Sequence, residues 1–317
     1  MDPLSDVLSI VRLSGAIFFD VDVSAPWSAR SPPTRDLIEV LPEARHLMSY
    51  HIVTEGDVWA VVEGDPPLRM SAGTMIVFPH GDPHMVGSDP ALGSGESIET
   101  YRLPLHLKRP HLIRGGGHGA SRSKMICGFF GCDSKPFNPL LASLPSRIVV
   151  SATDAGAGDL GVFFRLAIAE ANVKSPGGAA MLERLGELML IEAIRRYMRD
   201  TGVAGASWFA GMADPNIGES IRAIHSAPTE RWTLNALARL SGMSRSAFAA
   251  KFLSLVGTTP MAYLLGWRMQ LAASRLAGGA TVKSAAETAG YESEAAFSRA
   301  FRKATGVSPG QWRLSGV

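Results

Sequence analysis

The 317-residue sequence predicts an α+β protein of two domains. The first is an N-terminal antiparallel β-barrel followed by added helices, the second an all-α domain made of two helix-turn-helix units. Three observations predict this. One helical pattern occurs twice in succession near the C-terminus, and such a repeat is read before anything else. Short strand-like stretches separated by Gly and Pro fill residues 45–86, as in a sandwich or barrel. The charge is also divided. Residues 216–317 hold 12 Lys+Arg against 5 Asp+Glu, a balance of +7, and the remaining 19 basic and 24 acidic groups give −5 elsewhere.

The repeat sets Ala238, Gly242, Phe248, Phe252, Gly257, Pro260 and Tyr263 against Ala286, Gly290, Phe297, Phe301, Gly306, Pro309 and Trp312. The offset is 48 up to Gly290 and 49 from Phe297 onward, so one extra residue falls in the turn after Gly290. Each copy has helix-turn-helix chemistry. A small residue four positions before a glycine lets two helices approach, and the glycine supplies a positive-φ turn. Ser244 and Ser293 are placed as N-caps, the Phe pairs as inward i,i+4 anchors, Gly257 and Gly306 as C-caps, and Pro260 and Pro309 as breaks or N1 residues. Two such units joined by a helix over about 260–276 resemble the DNA-binding domain of the AraC/XylS family of bacterial transcription regulators. The stretch "AAETAGYESEAAFSRAFRKATGVSPGQWR" carries the most specific match, and the resemblance runs from Asp214 to Arg313. Ala285 departs from the family, which usually has a bulkier aliphatic there, and implies a looser helix.

Toward the N-terminus, Val7, Leu8, Val11 and Leu13 predict a helix and "AIFFDVDVSAPW" a strand. From Arg45 the stretches "HLMSYHIVTEG", "DVWAVVEG", "PLRMSAG", "TMIVFPHG" and "DPHMVGS" read as short strands. Gly73 to His84 has a glycine, five residues, then Pro-x-Gly-x-x-His, and so resembles the second cupin motif; His51 and Glu55 are what remains of the first. The resemblance implies a cupin-type sensor over residues 7–145. The stretch 104–123, rich in Gly and basic residues, reads as a mobile loop. "KMICGFFGCD" returns to strand, "NPLLASLP" to a short helix, and residues 159–201 to helix. Met181, Leu182, Leu185, Leu188, Met189 and Ile191 make an apolar stripe wider than one face needs. Residues 146–200 are therefore assigned as a helical region that pairs two subunits, a role the resemblance also implies. Residues 201–213 form a linker and 214–315 the double helix-turn-helix domain.

With Phe248 and Phe252 turned inward, Ser246, Ala249, Ala250 and Leu253 face the opposite way. In the second unit Glu294, Ala295, Ser298 and Arg299 do so. These faces, led by Arg299 as a bidentate guanine reader, are expected to meet base edges, and Arg245, Lys251, Arg302 and Lys303 to meet phosphates. His80, His84, Cys127 and Cys132 have the spacing of zinc ligands, with His51 in reserve, and predict one structural or redox-labile zinc per chain. Cys127 and Cys132 can share a face only if a bulge or turn sits at Gly128 or Gly131.

The expected function is thus a sequence-specific DNA-binding transcription regulator, not an enzyme, controlled through a small-molecule effector. Its partners would be double-stranded DNA, a second copy of the chain, and RNA polymerase if it activates. A sensor of metal or thiol oxidation is the alternative, and a DNA-tethered cupin enzyme a more distant one. No run of about 18 apolar residues, no basic leader and only two cysteines point to no membrane and to a reducing cytoplasm.

Overall fold

The computed structural model describes residues 2–11, 14–31, 46–93, 111–133, 135–151, 160–173, 175–200 and 207–314, the side chains of 14–18 and 171–172 aside. Two compact units appear. One contains Leu13–Cys132 and Leu144–Asp200; the other contains Thr201–Val317 together with Met1–Arg12 and Asp133–Ser143.

The first unit is a two-sheet sandwich. Six strands run in the order β10 (Ile148–Ser151), β6 (Thr74–Phe78), β3 (His46–Glu55), β9 (Arg122–Cys132), β1 (Ser14–Ser24) and β8 (His111–Gly116). Four run in the order β2 (Ser28–Ser31), β7 (His84–Gly87), β4 (Asp57–Val61) and β5 (Leu68–Ser71). The expected antiparallel barrel is corrected in two ways. Among the described residues the two sheets remain separate ladders, and β1 with β8 is a parallel pair. Between them lies one core, to which the large sheet gives Phe19, Val21, Ile76, Phe78, Met125 and Phe129 and the small sheet Val58, Ala60, Met70 and Val86. The chain passes from β3 to β4 through Gly56, at φ 74°, where a Cβ would lie 2.2 Å from the Arg122 carbonyl oxygen.

Residues 111–116 form the edge strand β8 rather than a loop, and residues 104–110 lie outside the described residues. The glycines read as mobility serve close approach. A Cβ at Gly116 would come within 2.1 Å of the Ser24 carbonyl oxygen, and one at Gly117 within 2.3 Å of Pro26. Helices α3 (Leu160–Val173) and α4 (Gly178–Asp200) belong to this unit. Buried Leu182, Leu185, Met189, Leu190 and Ile194 hold α4 in place, and the Arg196 guanidinium donates to the Ser151 carbonyl oxygen at 2.5 Å.

In the second unit every sequence signal of the repeat has its expected geometry. The Ser244 and Ser293 hydroxyls accept from the Ala247 and Ala296 N–H groups, capping α8 (Arg245–Val256) and α11 (Glu294–Thr305). Gly257 and Gly306 end these helices in the left-handed region, at φ 77° and 85°. Phe248, Phe252, Phe297 and Phe301 are fully buried. The joining helix α9 (Pro260–Ala277) has 18 residues, about 27 Å at ~1.5 Å per residue. Ala285, on α10 (Val282–Thr288), is fully buried in one cluster with Met269, Ala272 and Phe297, so the small side chain fits a close helix contact rather than loosening it. No single helix among the described residues is long and apolar enough to cross a membrane; α8 and α9 pass that test only as a pair bent by 55°.

Two segments from the N-terminal part of the chain complete this unit. Asp2 caps α1 (Pro3–Ile10), and the Asp6 carboxylate lies 3.5 Å from His225 Nδ1. His225 stacks on Trp267, its Nε2 accepts from the Tyr263 hydroxyl at 2.8 Å, and that hydroxyl accepts from Trp208 Nε1 at 2.7 Å. The Phe137 ring meets Tyr263 edge-on and lies over Gly266 of α9, where a Cβ would be 2.7 Å from it. The Phe137 N–H donates to Gln270 Oε1. By these contacts α1, through Asp6, and residues 133–143, through Phe137, group with the helical unit. Of the expected linker 201–213, residues 201–206 lie outside the described residues, and Trp208–Ala213 is a helix capped by Ser207 with Trp208, Phe209 and Ala210 buried.

Candidate functional site

The two equivalent helices α8 and α11 each turn one face into the core and one to solvent. At ~100° per residue the face opposite Phe248 and Phe252 centres on Ala250, with Ser246, Ala247, Leu253 and Ser254 beside it, and all five are exposed. The face opposite Phe297 and Phe301 centres on Arg299, with Ala295, Arg302 and Lys303 exposed beside it. Ala249 and Ser298 occupy equivalent flanks and are half-buried, so they border the faces. Glu294, at the first turn of α11, is exposed. Ala247 and Ser254 were missed in the sequence reading; the 100° rule applied to the whole of α8 finds them.

Position by position, Ala250 and Leu253 of the first helix stand where the second has Arg299 and Arg302. The first face is therefore uncharged, its Ala250 and Leu253 suited to thymine methyl groups, and the second cationic and suited to guanine and phosphate. Arg245 is exposed at the start of α8. Lys251 has another engagement: its Nζ lies 2.8 Å from Asp214 Oδ2 and 3.3 Å from Asn216 Oδ1, tying α8 to the start of α6 (Pro215–Ser226). Arg302 and Lys303 lie in the last turn of α11, where the helix dipole favours cations.

The sandwich interior holds a second cluster. His51 on β3 is paired in register with Cys127 on β9, and His84 comes from β7 of the other sheet. His51 Nδ1 lies 2.9 Å from Cys127 Sγ, His51 Nε2 lies 2.7 Å from His84 Nε2, and His84 Nδ1 lies 2.9 Å from the Asp82 carbonyl oxygen. The proton positions follow from the far end. A carbonyl oxygen only accepts, so His84 Nδ1 carries the hydrogen and its Nε2 accepts from His51 Nε2–H. His51 Nδ1 is then an acceptor, and the Cys127 thiol donates to it. Burial supports this neutral chain: it pushes the His84 imidazole down to about 4, His51 well below its ordinary value, and the Cys127 thiol up. The Phe78 ring stacks on His84, with centroids 3.6 Å apart.

The expected zinc ligands are not assembled. His84 and Cys127 come together with the reserve residue His51, but His80 is exposed and its Nε2 bonds the Leu144 carbonyl oxygen at 2.9 Å. Cys132 is paired in register with His46, five residues along a strand whose register is unbroken from Met125 to Cys132, so it lies about 17 Å away on the opposite face. The register shifts along β9 fall in its partners, between Ile17 and Phe19 of β1 and between Val53 and Glu55 of β3, and not at Gly128 or Gly131. The three grouped residues form a line with both nitrogens of His51 engaged, and among the described residues no cluster of three or more His, Cys, Asp or Glu is arranged to hold a metal ion. Beside His84 a cavity of about 270 Å³ opens, lined also by Ser28, Arg30, Val61, Glu63 and Met85.

Residues 2–199 match the cupin family, and residues 237–315 a helix-turn-helix domain. The chain is 28% identical over 315 residues to a putative AraC-like transcription regulator of Streptomyces lividans, covering 99% of this chain and 98% of that protein. It is 26% identical over 320 residues to the HTH-type transcriptional regulator AlkR of Acinetobacter baylyi, covering 99% of each. Among solved structures, the DNA-binding domain of AdpA, a global transcriptional factor in complex with a target DNA, is 30% identical. It covers 32% of this chain and 93% of that one, with a TM-score of 0.30. The repeated capped helices, the sheet-rich N-terminal unit and these full-length relatives agree: the chain belongs to the AraC/XylS family of DNA-binding transcription regulators, with a cupin N-terminal domain.

Proposed function

We propose that the cupin unit makes DNA binding depend on a small molecule that occupies the cavity beside His84. The observation that carries this is the chain Cys127–His51–His84, which spans both sheets and ends where the cavity begins. A compact molecule with an apolar body on Val61 and Met85 and one polar group toward Arg30 or Glu63 fits the lining. The volume of about 270 Å³ lies just below the usual range of ligand pockets, about 300–1,000 Å³, so the occupant is small. Transmission has a covalent route, because β1 follows α1 and β9 leads into residues 133–143, and both flanking segments belong to the DNA-binding unit. The test is a thermal-shift screen of the full chain against small carboxylic acids, amines and phenols. A true effector raises the melting temperature of the wild type, fails to do so with Met85→Trp, and changes DNA affinity. Cavity binders that leave DNA affinity unchanged refute the reading.

The same reading includes a homodimer. Val162 and Leu166 on α3 and Met181 and Leu188 on α4 are each more than 40% exposed, an apolar surface that a second copy would cover. RNA polymerase is a further partner if the protein activates. Thiol-oxidation sensing is favoured by one contact, that of Cys127 with His51, but burial disfavours the reactive thiolate there. The enzyme alternative is the more distant one, since the full-length relatives are named as transcription regulators.

A further inference from the structure

The two helix-turn-helix copies differ in length by one residue, and that residue has a structural use. Gly242 is followed by Met243 and then the N-cap Ser244. Gly290 is followed by Tyr291 and Glu292 before the N-cap Ser293. Met243 N–H donates to the Ala238 carbonyl oxygen and Tyr291 N–H to that of Ala286, both at 2.9 Å, so Met243 and Tyr291 correspond and Glu292 is the extra residue. Its carboxylate pairs with Arg231 at 2.8 Å, in the loop just before the first helix-turn-helix begins. Both partners are almost fully exposed, so the pair alone contributes little.

Beneath it lies a stronger tie. Arg268, in the middle of α9, donates from Nε to the Pro228 carbonyl oxygen at 2.5 Å and from an Nη to that of Glu230 at 2.8 Å. Its guanidinium also lies against Gly290, φ 74°. A Cβ built there would meet Cζ at 3.3 Å and both Nη atoms at 3.5 Å, a face-on approach. One planar group thus bonds the loop that precedes the first unit by its edge and supports the turn that starts α11 by its face. Arg fits this place because its fork is planar and rigid, and Lys does not reproduce it.

We propose that Arg268 is a positioning residue that fixes the start of α11 relative to the first helix-turn-helix, with the added Glu292 extending the same seam, and so sets the spacing of the two half-sites on DNA. This rests on α8 and α11 being the recognition helices. One added base pair shifts the half-sites by about 3.4 Å and turns them by about 35°, so a rigid seam penalises it and a loose one tolerates it.

The experiment selects DNA from a random library with the full-length wild type, then measures binding to the selected site and to versions with one base pair inserted or removed between its halves. Arg268→Ala and Arg268→Lys are compared, with circular dichroism as a check on folding; both carbonyls border solvent, so water can replace the lost donors. The wild type is expected to lose about tenfold or more per inserted or removed base pair, and both variants about threefold or less, with the base preference inside each half unchanged. Equal spacing penalties in wild type and variants overturn the proposal, and so does loss of folding in both variants, since a positioning role leaves each unit folded. If the wild type selects no two-part site, the assignment of the recognition helices fails instead.

Discussion

Acid should weaken the folded sandwich well above the range where carboxylates titrate. The perturbation is a change from pH 7.5 to pH 5. His84 is buried and its imidazole is held down to about 4 against an ordinary 6.5, so between these values the unfolded chain binds a proton that the native chain refuses. Its contribution is fully present above pH 6.5 and is lost as pH falls toward 4. At pH 5 the linkage amounts to about 2 kcal/mol for this one group. His51 acts in the same direction, because burial and the neighbouring His84 both disfavour its cation. In the other unit His225, pushed down to about 3 by burial, does likewise. The assay is urea unfolding of the full chain at both pH values, with His84→Gln in parallel. The wild type should lose at least about 2 kcal/mol on acidification, and the variant, less stable at pH 7.5, should lose about 2 kcal/mol less than the wild type does. Equal acid losses in the two proteins would refute the neutral, dry chain.

Two further outcomes follow from particular contacts. Cys127→Ala removes the donor to His51 Nδ1 inside a closed interior and should cost about 1–3 kcal/mol in urea unfolding, whereas Cys127→Ser keeps an O–H donor and should cost less; the reverse order would mean that the thiol does not donate. Met181→Glu with Leu188→Glu should make the protein sediment as a monomer with its helical dichroism intact, and a wild type already monomeric at micromolar concentration removes the dimer.

The helical domain was legible because its signals are local. N-cap serines, left-handed glycines and i,i+4 phenylalanines each act within one or two turns, and all stand where the spacing placed them. The apolar stripe on α4 was legible only in part. Met189 and Leu188 read alike in sequence, yet Met189 is fully buried and Leu188 is 44% exposed, so only the latter is available to a second subunit. Which of the side chains expected to hold zinc come together depends on long-range pairing that spacing along the chain does not carry. Spacing along the chain grouped His80 with His84 and Cys127 with Cys132, whereas cross-strand register brings Cys127 to His51 and leaves Cys132 on the other face. Likewise, nothing local shows that α1 and residues 133–143 join the helical unit, since Asp6 meets His225 and Phe137 meets Tyr263, Gly266 and Gln270, all more than a hundred residues away. Gly116 and Gly117 look the same in sequence whether they provide mobility or let the chain pass close to Ser24 and Pro26.

We propose that α8 and α11 read two segments of DNA, with Arg299 at the centre of the second face. Selection of binding sites from random duplex DNA with wild type and with Arg299→Ala tests it most directly. The wild type should enrich two short segments about one helical turn apart, one of them containing a guanine. Arg299→Ala should lose the preference at that guanine alone and bind the site with about 1–3 kcal/mol less free energy. An unchanged site and affinity in Arg299→Ala, or a single undivided site for the wild type, would contradict the account.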